Sequence, residues 1–234
     1  VLRDASTRAP GSAAPWAALA DVHLTAHQPE QAAAALREGR AAVSDPVRSR
    51  GLGLRLAALQ IQNDEAAAGK RLLEELLEEN RKARAAGPTA EVARLHVDLL
   101  VALLELPDVT LDAARADALL EELKEVEGEA TGVQWRFQTA RVLLQRPAWR
   151  TERAVQDNIQ ALLRFCSDAD PRWVPPVILL GRMHEALGDL DAAEAVYANA
   201  LKQVDATEIA DQLLGLYERQ RRFSEARALL ERMG

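Results

Sequence analysis

His23 and His27 stand four residues apart, a spacing that can set two imidazoles on one helical face as metal ligands. No third ligand follows at a diagnostic distance, and His27 sits at the turn before Pro29, so no metal site is expected. Cys166 has Asp168 and Asp170 nearby but no neighbouring histidine in sequence to make it a nucleophile, and it reads as a structural thiol. As the single cysteine it also excludes an internal disulfide and any multi-thiolate zinc or iron–sulfur site within the chain. Gly51-x-Gly53 lacks the preceding strand and the further glycines of a dinucleotide loop. Glu74-Glu75-x2-Glu78-Glu79 and Glu121-Glu122-x2-Glu125 supply paired carboxylates, the raw material of acid–base catalysis. They lie among leucines at helical spacing, which places them on solvated outer faces, with Lys70, Arg71, Arg81 and Arg84 in reach of glutamates three or four residues away. Arg219-x-Arg221-Arg222 complements a helix C-terminus. No catalytic residue, metal or cofactor is expected.

The elements that carry these residues are helices. Of 234 residues, 48% are hydrophobic and 28% charged, the balance of a folded globular chain. The formal charge of -7 argues against a nucleic-acid partner, because phosphate-backbone binding runs on clustered Lys and Arg. The most apolar run, Val97 to Leu106, is interrupted by Asp98 and Glu105, so no membrane span is expected. Leu, Ala, Glu and Arg dominate at helical period, and strand signals are missing. Breaks fall at His27-Gln28-Pro29, Asp45-Pro46, Gly87-Pro88, Leu106-Pro107-Asp108, Glu127-Gly128, Arg146-Pro147, Asp170-Pro171, Gly188-Asp189 and Asp205-Ala206-Thr207. Between them lie segments of ordinary helix length that come in pairs. Trp149 and Trp173 fall beside prolines at inter-helix turns, positions from which an aromatic ring can either pack on a neighbour or anchor a partner.

The pairs repeat. Trp16-x2-Leu19-Ala20-x2-His23 precedes Ala32-x3-Leu36-x2-Gly39; Leu180-Gly181-x2-His184 precedes Ala193-x3-Tyr197-x2-Ala200; Leu213-Leu214-x2-Tyr217 precedes Ala226-x3-Leu230-x2-Met233. These motifs resemble the tetratricopeptide repeat (TPR), a helix–turn–helix unit in which small residues stand where two helices touch. The second-helix anchors at 32, 69, 116, 154, 193 and 226 are separated by 37, 47, 38, 39 and 33 residues, so longer helices or loops must interrupt the middle of the array. The resemblance implies an all-α fold, a right-handed α-α superhelix (a TPR-like solenoid) of about six hairpins, forming a single domain over residues 11–234. Residues 1–10 read as the tail of a preceding repeat, with Leu2 and Ala5 in its large and small slots, and the chain is expected to be a piece of a longer, bacterial polypeptide.

In the TPR family the first helix of each pair lines a concave surface that holds peptides or partner proteins. Helical phase puts Ala17, Asp21 and Leu24 on that side of the first hairpin and Leu54, Ala58 and Ile61 on that of the second. Toward the C-terminus it selects Ile178, Arg182 and Glu185, then Asp211, Glu218 and Arg219. The resemblance therefore implies a non-catalytic scaffold with a protein or peptide partner, apolar around Leu54 and Ile61 and charged around Arg182 and Arg219. A regulatory sensor for a small peptide or metabolite and a targeting module of a larger enzyme are the alternatives. The family's carboxylate clamp is not expected, since Ala17, Asp21 and Leu54 occupy slots where it needs Lys and Asn.

Overall fold

Proline and acidic or hydroxyl residues start the helices of this chain, and left-handed residues turn them back. In the computed structural model, which describes residues 11–233, Asp45 caps one helix by accepting from the N–H groups of Val47 (2.9 Å) and Arg48 (3.2 Å), with Pro46 in the first turn. Thr89 accepts from Val92 N (3.2 Å) and Asp189 from Ala192 N (3.2 Å) in the same way. His27, Asp64, Gly188 and Arg221 all have positive φ and each stands two residues before a helix, so four hairpins share one turn geometry although only one of them uses glycine. The reading of residues 1–10 as a repeat tail lies outside the described residues.

The described residues form thirteen α-helices and no strand. In chain order these are α1 (Ala13–Thr25), α2 (Pro29–Ala42), α3 (Pro46–Gln62), α4 (Ala66–Ala86), α5 (Ala90–Leu104), α6 (Pro107–Leu111) and α7 (Ala113–Glu127). They continue as α8 (Gln134–Gln145), α9 (Arg153–Ala169), α10 (Val174–Ala186), α11 (Leu190–Ala200), α12 (Thr207–Arg219) and α13 (Phe223–Met233), with a 3-10 turn at Pro147–Arg150. The pairs α1/α2, α3/α4, α8/α9, α10/α11 and α12/α13 pack as hairpins, whereas α5 and α7 are separated by α6 and joined through His96 and Glu122. The chain divides into two compact units, one ending at Val126 and the other beginning at Glu127.

Three hairpins, α1/α2, α3/α4 and α10/α11, close by setting a small residue against a large one. A Cβ added to Gly39 of α2 would come within 2.7 Å of Trp16 on α1, and one added to Gly69 of α4 within 2.6 Å of Ile61 on α3. On α10, Gly181 lies flat against the ring of Tyr197 from α11 with no room for a methyl group. The first unit buries Trp16, Leu36, Leu52 and Leu56 at one end, and Leu99, Leu100 and Leu103 on α5. The second has one core around Trp149, Ile159, Leu163 and Met183, and another around Tyr197, Ile209, Leu213 and Leu216.

The outer-face reading of the glutamates fails at Glu122. Its carboxylate is half-buried and receives Arg81 of α4 and His96 of α5, so it joins three helices. The expected pairing of basic residues within their own helices is correspondingly incomplete: Arg81 does reach Glu78 (3.6 Å), but Lys70 pairs with Asp108 and Arg115 with Glu74, both across helices. Arg222, read as complementing a helix terminus, instead forms ion pairs with Glu194 of α11 and Glu225 of α13.

Candidate interaction surface

In the second unit the first helices of the last two hairpins, α10 and α12, are joined by side chains that the helical phase selected. Arg182 Nε donates to Gln212 Oε1 at 3.0 Å. Glu185 accepts from Tyr197 Oη at 2.8 Å and forms an ion pair with Arg219. The Tyr197 phenol is therefore pushed up out of its ordinary range, first by burial and then by the Glu185 carboxylate. Asp211 and Glu218 on α12 are exposed and make no ion pair among the described residues. The result is a charged face, Arg182 with Asp211, Glu218 and Arg219, braced from beneath by the Tyr197–Glu185–Arg219 link. A second brace ties α11 to α12 and the turn that follows it: Tyr217 Oη donates to Glu194 Oε1 at 2.9 Å, and Arg222 pairs with the same carboxylate.

In the first unit Asp21 on α1 forms an ion pair with Arg55 on α3, so this residue is engaged with its own chain. Leu54 is half-buried, while Leu24 is exposed. Ile61, two turns along α3 from Leu54, packs on Gly69 and rims a cavity of about 750 Å³ with Lys70, Pro107 and Asp108. The helix α6, which supplies Pro107 and Asp108, had no counterpart in the hairpin pattern.

Two polar features lay outside the sequence reading. Asn80 and His96 are both 0% exposed. Asn80 Nδ2 donates to Val92 O (3.0 Å) and lies 3.1 Å from His96 Nδ1, while His96 Nε2 lies 2.8 Å from Glu122 Oε1. With Asn80 donating, Nδ1 is the acceptor and the ring proton sits on Nε2, directed at the carboxylate. Burial would raise the Glu122 carboxyl, but the hydrogen bonds from Arg81 and His96 outweigh it and hold its pKa down to about 2. This is a staple for α4, α5 and α7 with every imidazole atom out of solvent's reach, while Arg81 and Glu122 also line a cavity of about 420 Å³ beside Glu74 and Arg115. The periodicity of α5 marks His96 as core-facing, but its partner Glu122 is too distant in sequence to be read.

The remaining candidates are structural. Cys166 is buried, and burial pushes its thiol up to about 11, far from a reactive thiolate. Trp149 is 5% exposed and belongs to the core, while Trp173 packs on Phe137 in a tilted contact with ring centroids 4.7 Å apart. His23 lies 2.9 Å from the side-chain oxygen of Gln28, a contact that steadies the first hairpin turn. Among the described residues no group of three His, Cys, Asp or Glu is placed to hold a metal, and no helix is long and apolar enough to cross a membrane.

No family model matches the sequence, and no curated protein does. Among solved structures the chain is similar to a thermophilic TPR protein of Thermus thermophilus, with a TM-score of 0.54 and 16% sequence identity over 88% of this chain and 98% of that one. At that identity the likeness speaks for the fold alone, an all-α helical repeat.

Proposed function

We propose that this chain is a protein-interaction scaffold that holds a peptide or partner protein in the concave groove lined by its first helices and catalyses nothing itself. The observation that carries the reading is the charged face of α10 and α12. Arg182, Asp211, Glu218 and Arg219 stand exposed there, while the side chains beneath them are locked by Tyr197, Glu185 and Gln212. Arg182 and Arg219, held by Gln212 and Glu185, lose little entropy on binding, and together with the open acids they select partners by electrostatic complementarity. The likeness to a TPR protein supports the same reading at the level of the fold. The Asp21–Arg55 pair and the half-buried Leu54 give the first unit a smaller surface of the same kind.

The test is affinity capture from the native organism with the whole chain, set against two charge-reversed forms. Arg182→Glu with Arg219→Glu removes the basic half of the face, and Asp211→Lys with Glu218→Lys reverses acids that make no ion pair in the fold. At least one protein retained by the unaltered chain is expected to be lost with one of the two forms, both of which keep the helical circular-dichroism spectrum. Identical retention by all three removes the charged face from the binding surface.

A further inference from the structure

The second unit contains a cavity of about 420 Å³ in which α9 and α11 form the walls and α10 the floor. Its apolar lining comes from Val177 and Leu180 on α10 and from Ala192, Ala195 and Val196 on α11. Arg164 and Asp168 of α9 stand at its rim, one helical turn apart, and His184 of α10 reaches its wall. This is not the charged face described above, because Arg182 on α10 is exposed whereas His184 is only 6% exposed.

Three polar groups border the cavity, and one of them is buried without a partner. Arg164 has only a long contact to Gln160 (3.4 Å) on its own helix, and neither it nor Asp168 forms an ion pair among the described residues. His184 Nδ1 is buried without a hydrogen-bond partner, its nearest carboxylate oxygen, Asp189 Oδ2, lying 3.6 Å away. Burial holds the ring below the ordinary imidazole range, with the Asp189 carboxylate opposing and the Arg164 charge adding to the effect, so His184 is neutral at neutral pH. The Asp189 carboxylate draws the ring proton to Nδ1, which leaves the lone pair on Nε2 of a residue that lines the cavity.

We propose that this cavity binds a small aliphatic α-amino acid, with its carboxylate on Arg164, its ammonium group on Asp168 and His184, and its side chain over Val177, Leu180 and Val196. A cation, an anion and a neutral acceptor around one apolar floor match a zwitterion with a hydrocarbon side chain. A purely anionic ligand would leave Asp168 opposed, and a purely cationic one would leave Arg164 opposed. The volume lies near the lower end of the small-molecule range of roughly 300–1,000 Å³, which suits an amino acid better than a nucleotide.

The experiment is titration of the whole chain, by calorimetry and by amide chemical shifts, with L-leucine, with 3-methylbutylamine (the same body without the carboxylate) and with 4-methylpentanoate (without the amine). Leucine is expected to bind saturably, with each analogue weaker by about tenfold or more. Arg164→Gln is expected to abolish the preference for leucine over the amine, and Asp168→Asn the preference over the acid; both positions are exposed, so folding is preserved. Ala195→Trp, which fills the cavity from an exposed position, is expected to block leucine. The proposal is overturned if leucine at about 10 mM produces no saturable change. Equal binding of all three compounds, or undiminished binding by the Ala195→Trp chain, overturns it as well.

Discussion

The most informative single side chain is Glu122, because its partners come from two other helices and its carboxyl titrates far from its usual range. Its folded pKa of about 2 lies below the ordinary 4.5, so the stability it contributes is complete above pH 4.5 and drains away as pH falls toward 2. Glu122→Gln should cost roughly 2–3 kcal/mol in urea unfolding at neutral pH and should flatten the fall in stability between pH 4.5 and 2. An unchanged acid limb would mean that the Arg81–Glu122–His96 link contributes little. Gly181 makes a different demand: a methyl group there overlaps the buried Tyr197 ring, so Gly181→Ala should destabilise by about 1–3 kcal/mol, measurable in the same unfolding assay. Gly181 was legible as a small slot of the repeat, and Tyr197 as the large slot of the next helix. The Asn80–His96–Glu122 chain was not, since each residue looks ordinary in its own helix and only the packing of three helices makes them one network.

Turns and breaks made most of the helices readable. Prolines at 29, 46 and 107 and the Gly188-Asp189 pair mark helix starts and stops that the chain uses. The middle resisted for identifiable reasons. The 47-residue gap between the anchors at 69 and 116 holds the rest of α4, a helix of 21 residues, together with the extra turn α6, where Leu106-Pro107-Asp108 gave only a break. Hairpin turns also share a left-handed residue whose side chain varies. Gly188 has open space around it, so Gly188→Ala tests backbone conformation alone and should cost about 1 kcal/mol. Arg221 holds φ 58 at the matching place in the last hairpin, and Arg221→Gly should be neutral or stabilising by a few tenths of a kcal/mol to about 1 kcal/mol. Thermal unfolding of the two variants side by side gives opposite signs if the turns are equivalent. A loss of stability in Arg221→Gly as large as that in Gly188→Ala would show that they are not.

For the molecule as a whole, sequence periodicity was enough to give an all-α helical repeat, because every hairpin must bury an apolar stripe against neighbours and so repeats its small and large slots. Function was less legible. The same first-helix phase that selected Arg182, Glu185 and Arg219 also describes ordinary solvated positions, and only the structure distinguishes the braced Glu185 from the open Asp211 and Glu218. Site-specific photo-crosslinking in the native host examines the central claim most directly, with a benzophenone amino acid placed at Asp211 on α12 or, as a control, at Arg227 on α13, where the native arginine pairs only with Glu231 of its own helix. A discrete cross-linked protein is predicted from position 211 and none from position 227. Cross-links of equal yield from both positions, or none from 211, would contradict the assignment of the first-helix face as the partner-binding surface.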